Sequence, residues 1–207
     1  MSRATRWAGV SPADRRAERR SLLIDAAYSL FGEGGDAAVS VRSVCRASSL
    51  NSRYFYESFA GVDDLLGAVY DRVAAELARE LAAAMANAPE HERARLRAGI
   101  RAVLQFSSAD PRRGRILFTE ARTNPVLAER RNKAQDQLRE LVLSEAQRSV
   151  PESDPLAWEV GAAMYAGSMA ELAQQWLTGN LGGDLDAVVD HAVRLLMRGS
   201  AAAIPER

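Results

Sequence analysis

The chain has 207 residues, 47% of them hydrophobic, and its basic and acidic side chains balance to no net charge, which suits one or two folded domains. Its apolar stretches, such as GAAMYAGSMA, are interrupted by Glu159 and Glu171 well short of the roughly 20 residues a bilayer span needs, so no membrane helix is expected. One cysteine, Cys45, and two histidines, His91 and His191, exclude an internal disulfide and offer no metal-ligand spacing, so neither metal nor thiol chemistry is expected.

The polar, basic start MSRATRWAGVSPADRRAERR has no apolar run behind it and does not read as a secretory signal, so a cytoplasmic protein is expected. The neutral total conceals an asymmetry. Residues 1–60 hold nine Arg against six acidic residues, while residues 61–207 hold 18 basic against 21 acidic. A lean toward polyanions is therefore confined to the N-terminal part, although a solvated helix face would carry the same bias.

Almost every segment repeats at helical period and none alternates long enough to nominate a strand, so the chain reads as all-α. The first helix opens at SPAD, where Ser11 can cap, Pro12 suits the first position and Asp14 can answer the cap. Leu23, Ala26, Ala27, Leu30 and Phe31 form its buried face, and GEGG ends it. A short second helix follows Ser40 with Val41, Val44 and Cys45 inward, and stops near ASSL. Asn51 caps a third, from Ser52 to about Phe59, and Gly61 breaks the chain again.

Phe55 and Phe59 lie four apart on this third helix and pack inward with Leu50, Val41 and Val44. Arg53, Tyr54, Tyr56 and Glu57 cannot all join them on two turns. Arg and Tyr left outside are suited to a duplex, because Arg forks onto phosphate or guanine and Tyr bonds phosphate and packs on sugar. Ser40 and Asn51 cap helix N-termini, where free N–H groups favour an anion.

A long helix from Val62 to about Met85 carries the stripe Leu66, Val69, Val73, Leu77 and Leu81. Breaks at NAP (87–89), ADP (109–111), TNP (123–125), PESDP (151–155) and TGNLGGD (178–184) then divide the remainder into five more helices, nine in all. On the eighth, Trp158, Tyr165, Met169, Leu172 and Trp176 share one face within about 40°. That stripe is either core or the wall of a ligand pocket. On its opposite face Ala163, Gly167 and Ala170 are small enough to let a partner helix approach, with Glu171 and Gln174 beside them. The ninth, from Asp184 to about Met197, repeats Leu185, Val188, Val189, Ala192, Leu195 and Leu196, a stripe that wants a partner helix. Phe106, Phe118, Arg122 and Asn124 are further candidates to line a pocket, with plain core as the alternative for Phe118.

The run AERRSLLIDAAYSLFGEGGDAAVSVRSVCRASSLNSRYFYESFAGVDDLLGAVYDRV resembles the DNA-binding region of the TetR family of bacterial transcriptional regulators over roughly residues 15 to 75. The AAYSLFGEGG helix end, the Val-rich second helix, and the FYESF and LL landmarks carry the likeness. It implies a basic arm at 1–14, a helix-turn-helix domain at 15–62 and a ligand-binding and dimerisation domain at 63–207. By the same resemblance Ser40 and Tyr56 are phosphate contacts, and Arg53 and Tyr54 reach the major groove, with Arg42, Asn51 and Ser52 beside them. The chain departs from the family at Ser48-Ser49, where Ala-Gly is usual, at Val62, where Lys is frequent, and at Ser58, where His is frequent. A left-handed Ser49 costs about 1 kcal/mol relative to Gly.

The function so implied is a sequence-specific regulator: a homodimeric repressor on double-stranded DNA, released from an inverted-repeat operator by a small apolar effector. The alternative is a ligand-binding or scaffolding helical dimer with degenerate DNA binding. No Ser, Cys or His constellation suggests an enzyme, and no cofactor is expected. SRATRW is either a groove-following arm or a simple tail.

Overall fold

The computed structural model describes residues 11–149 and 154–202; the SRATRW arm and most of the PESDP break lie outside them. Among the described residues there is no strand, and nine helices run in order. They are α1 (Pro12–Gly34), α2 (Val41–Ser48), α3 (Ser52–Tyr56), α4 (Val62–Ala86), α5 (Glu92–Ala109), α6, α7 (Pro125–Ser149), α8 (Pro155–Leu177) and α9 (Leu185–Ala202). A 3-10 turn, Asp36–Ala38, precedes α2. Helix α6 is a continuous run of Pro111–Gly114, a π turn at Arg115–Glu120 and Ala121–Thr123. The breaks predicted at NAP, ADP, TNP and TGNLGGD each fall where one of these helices gives way to the next. None of the described helices is long and apolar enough to cross a membrane. Contacts divide the chain into two units, one ending at Val69 and one beginning at Tyr70.

In the first unit, the Ser11 hydroxyl accepts from the Asp14 N–H at 3.1 Å and donates to its carboxylate at 2.7 Å, so the first turn of α1 is satisfied as SPAD predicts. Gly35 ends the helix at φ 68°, ψ −164°, a conformation that is essentially glycine's alone, and its N–H reaches the Phe31 carbonyl at 2.9 Å. The helix buries Leu23, Ala27 and Phe31 as its period requires, and Ile24 with them. Val44 of α2, Phe55 and Phe59 at α3, and Leu65, Leu66 and Val69 of α4 are buried in the same unit.

Helix α3 closes at Tyr56, short of the predicted Phe59. The turn that follows keeps the Phe59 N–H on the Phe55 carbonyl at 2.9 Å, so both rings remain inward, with centroids 6.0 Å apart. Between α2 and α3, Ser49 takes the left-handed conformation at φ 57°, ψ 29°, which lets the Leu50 N–H return to the Cys45 carbonyl at 3.1 Å.

In the second unit α5 packs against α8 and α9 around Ile100, Val103, Leu104, Met169, Ala173, Val189 and Val193. The close approach of α6 to α8 depends on Gly114, where a Cβ would meet Leu177 Cδ1 at 2.4 Å. Arg97 and Arg101 of α5 pair with Asp186 of α9, the former at 2.9 Å, and Arg97 also pairs with Asp190. The α9 stripe thus finds its partner helix inside its own chain. Val189 is fully buried, and Leu185, Val188, Ala192 and Leu196 pack on the same core. The cover expected from a second copy is thus supplied in part by α5, with Leu185, Val188, Ala192 and Leu196 left half-buried. Leu195, on the far side of α9, stays 70% exposed.

Candidate functional site

Two features can carry function, one in each unit. In the first, α2 and α3 present short polar side chains on a braced frame. Ser40 and Ser43 form a reciprocal capping box, each hydroxyl accepting from the other's backbone N–H, at 3.1 and 2.9 Å. The Asn51 side chain accepts from the Tyr54 N–H at 3.2 Å. These serve the start of α2 and α3 respectively. Ser40, Arg42, Asn51, Ser52, Arg53 and Tyr56 are all exposed, while Tyr54 is half-buried beneath the Arg19 guanidinium, 4.5 Å from its ring centre.

Arg53 is held at its base and free at its tip. Its Nε donates to Glu57 Oε1 at 3.0 Å, and its side chain is 82% exposed. The terminal fork that can bridge guanine or phosphate is therefore directed by a neighbouring carboxylate. Glu57 itself is tied to α1, since Arg16 donates to its carbonyl at 3.0 Å and Arg19 lies 3.8 Å from its carboxylate. Arg20 stacks over Phe59 at 4.8 Å. Sequence reasoning foresaw neither this bracing of α3 by the α1 arginines nor a part for Glu57. The i,i+4 spacing of Arg53 and Glu57 was the available signal for the last, whereas the α1 arginines become visible only when α1 and α3 are placed together.

In the second unit a cavity of about 1150 Å³ opens among α4, α5, α6, α7 and α8, with Tyr70, Leu81, Phe118, Leu138 and Met169 in its wall. Of the residues expected to meet a ligand, Phe118, Arg122 and Met169 line it. Phe106 does not: it is buried in the core under Arg113, whose guanidinium lies 4.5 Å from the ring centre. Asn124 is spent on capping α7, its Oδ1 accepting from Val126 N–H at 2.9 Å and Leu127 N–H at 3.3 Å. Tyr165 and Trp176 pack on the α5–α9 core, and burial pushes the Tyr165 phenol up to about 12. Trp158 also lies outside the cavity wall, its indole N–H buried without a hydrogen-bond partner.

Of the two readings of the large α8 stripe, core fits Tyr165, Leu172 and Trp176, while Met169 also reaches the cavity; the small-residue face, expected to meet a partner helix, supplies cavity wall through Gly167 and Ala170, while Ala163 is exposed. Arg122 bonds Glu171 at 2.8 Å and also contacts Gln174; with Gln175 it holds the Glu171 carboxyl below its ordinary range. No group of three His, Cys, Asp or Glu side chains that could hold a metal ion occurs among the described residues.

No family model matches the chain. A stretch of 66 residues is 37% identical to an HTH-type transcriptional repressor of Mycobacterium tuberculosis, covering 32% of this chain and 35% of that protein, so the match spans about a third of the relative. Among solved structures, a TetR-like transcriptional regulator from Rhodococcus sp. RHA1 superposes with a TM-score of 0.71 at 21% identity, covering 89% of this chain and 97% of the other. The transcriptional regulator FadR from Bacillus subtilis, solved in complex with stearoyl-CoA, gives 0.72 at 18% identity over 86% and 98%. By their names these proteins are regulators of transcription. With α2 and α3 joined by a left-handed turn at Ser49 and a nine-helix order that superposes over most of the chain, the protein has the fold of the TetR-like transcriptional regulators.

Proposed function

We propose that the chain is a sequence-specific DNA-binding regulator, a homodimeric repressor released from an inverted-repeat operator by a small ligand. Residues 15–62, within the first unit, form its DNA-binding domain, the second unit is its ligand-binding and dimerisation domain, and it works in the cytoplasm. The observation that carries the reading is the division of α3 and the turn after it: Phe55 and Phe59 are core, while Arg53 and Tyr56 stand exposed on the helix. Aromatic and Arg side chains so displayed are suited to phosphate, sugar and base edges.

Dimerisation is supported by an apolar face that no described residue covers. Leu156, Val160 and Met164 recur every four residues along α8 and are 63%, 49% and 69% exposed, and Leu195 of α9 is exposed as well. Exposed large side chains at helical spacing favour a protein partner, and a two-fold pairing would set two recognition helices about 34 Å apart. The effector site is the cavity of the second unit; the FadR of like fold, solved with stearoyl-CoA, supports a ligand there. Tyr70 and Asp71 of α4 stand in the cavity wall, so a ligand there meets α4. Tenfold weaker operator binding requires about 1.4 kcal/mol of differential ligand affinity.

Selection and sequencing of DNA fragments bound by the purified protein, repeated across a salt series, tests the reading. An enriched inverted repeat whose binding weakens steeply with salt, and is lost in Arg53→Ala/Tyr56→Ala with oligomeric state unchanged, is expected. Weak, sequence-blind binding would instead favour a ligand-binding helical scaffold.

A further inference from the structure

The second unit's cavity carries more positive charge than its setting accounts for. Residues 61–207 hold 18 basic against 21 acidic side chains, yet seven cations and three carboxylates line the cavity. All three carboxylates are engaged: Asp71 with Arg130, Glu145 with Arg95 and Arg148, and Glu171 with Arg122. Arg79, Arg131 and Lys133 have no carboxylate partner among the described residues. Arg79 and Lys133 are exposed and hydrated. Arg131 is different.

Arg131 is half-buried, and its Nε is out of water with no hydrogen-bond partner. The bond it does make, from Nη2 to Asn132 Oδ1, is long at 3.5 Å. A guanidinium N–H out of water and without an acceptor is costly unless an anion meets it. Beside it stands Tyr70, 3% exposed and in the same cavity wall. Burial pushes its phenol up to about 12 against the opposing charge of Arg131, so Tyr70 is a protonated donor throughout the physiological range. The remaining wall is apolar, with Leu77, Leu81, Leu117, Phe118, Leu138 and Met169 among its members. At about 1150 Å³ the space exceeds the roughly 300–1,000 Å³ of ordinary small-molecule sites.

We propose that this cavity takes an amphipathic acid, its apolar body lying against the leucine, Phe118 and Met169 wall and its carboxylate or phosphate accepting hydrogen bonds from Arg131 and Tyr70. The assignment rests on reading the cavity as the effector site and adds the chemical class of the effector. Arg79 and Lys133 add long-range attraction for the anion.

The test uses full-length protein and three probes with one chain length, dodecanoate, dodecyl phosphate and dodecan-1-ol, titrated calorimetrically below their aggregation limits. At least one acid should bind tenfold or more tightly than the alcohol, and which one does so identifies the head group. Arg131→Met should abolish that preference while leaving alcohol affinity unchanged and the ligand-free thermal melt no lower, and Arg131→Lys should restore part of it. Equal binding of acids and alcohol, or an unchanged preference in Arg131→Met, would overturn the assignment while leaving a neutral effector possible. Absence of binding by all three probes, with operator binding retained, would overturn it without touching the DNA-binding reading. An acid preference in a protein that binds no operator would support it and refute the regulator.

Discussion

Replacing Ser49 by Gly tests the strain in the turn between α2 and α3. Ser49 sits at φ 57°, ψ 29°, and it is the one non-glycine residue with positive φ among those described. A side chain there costs roughly 1–2 kcal/mol through the clash of Cβ with the following carbonyl. Glycine removes that cost but adds about 0.5–1 kcal/mol of unfolded-chain entropy. The Ser49 side chain is exposed, and the hydrogen bond of this turn belongs to Ser48, whose hydroxyl donates to the Val44 carbonyl at 2.8 Å. Nothing made by the Ser49 hydroxyl is therefore lost. Ser49→Gly should stabilise the fold by about 0.5–1 kcal/mol, a rise in melting temperature of about 1–4 °C for a chain of this size. Ser49→Ala, which keeps the Cβ, should shift it by less than half as much. Thermal and urea denaturation followed by circular dichroism read both variants. A neutral or destabilised Ser49→Gly would refute the assignment of strain, and equal gains from Ala and Gly would place the effect in the hydroxyl instead.

Met164→Glu puts a charge in the middle of the exposed α8 face and should convert a dimer to monomer in sedimentation velocity without lowering helix content; an unchanged dimer would move the interface elsewhere. Glu57→Gln leaves Arg53 its length and charge but removes the carboxylate that orients it, so discrimination at the base Arg53 meets should fall several-fold while the salt dependence of binding is kept, as competition with single-base operator variants would show. The Tyr70 and Tyr165 phenols are both pushed up to about 12 by burial, above the value of the unfolded chain. Below pH about 10 both states are protonated; as pH rises toward 12 the unfolded chain ionises first, so stability present at neutral pH is lost across that window. Tyr165→Phe should flatten the loss in chemical denaturation measured from pH 9 to 12, and an unaltered profile would contradict the burial of its hydroxyl.

Local chemistry determined most of the secondary structure. Ser11, Ser40 and Asn51 cap because their short side chains reach N–H groups three residues on, and Gly35 and the Pro-containing breaks end helices because their backbones permit little else. The inward course of Phe55 and Phe59 followed from a spacing of four, and the exposure of Arg53 and Tyr56 from what two turns leave over.

What the tertiary structure decided is which face meets which. A helical stripe states that it must be buried but not by whom, so the α9 stripe, which could serve a second copy equally well, lies on α5 of its own chain. The same ambiguity on α8 put Tyr165 and Trp176 into core and gave Gly167 and Ala170 to the cavity, because small residues leave space and large ones occupy it. Arg131 of α7 and Tyr70 of α4 lie 61 positions apart in the chain. No periodicity couples residues so distant; their meeting in one cavity wall is the product of packing alone.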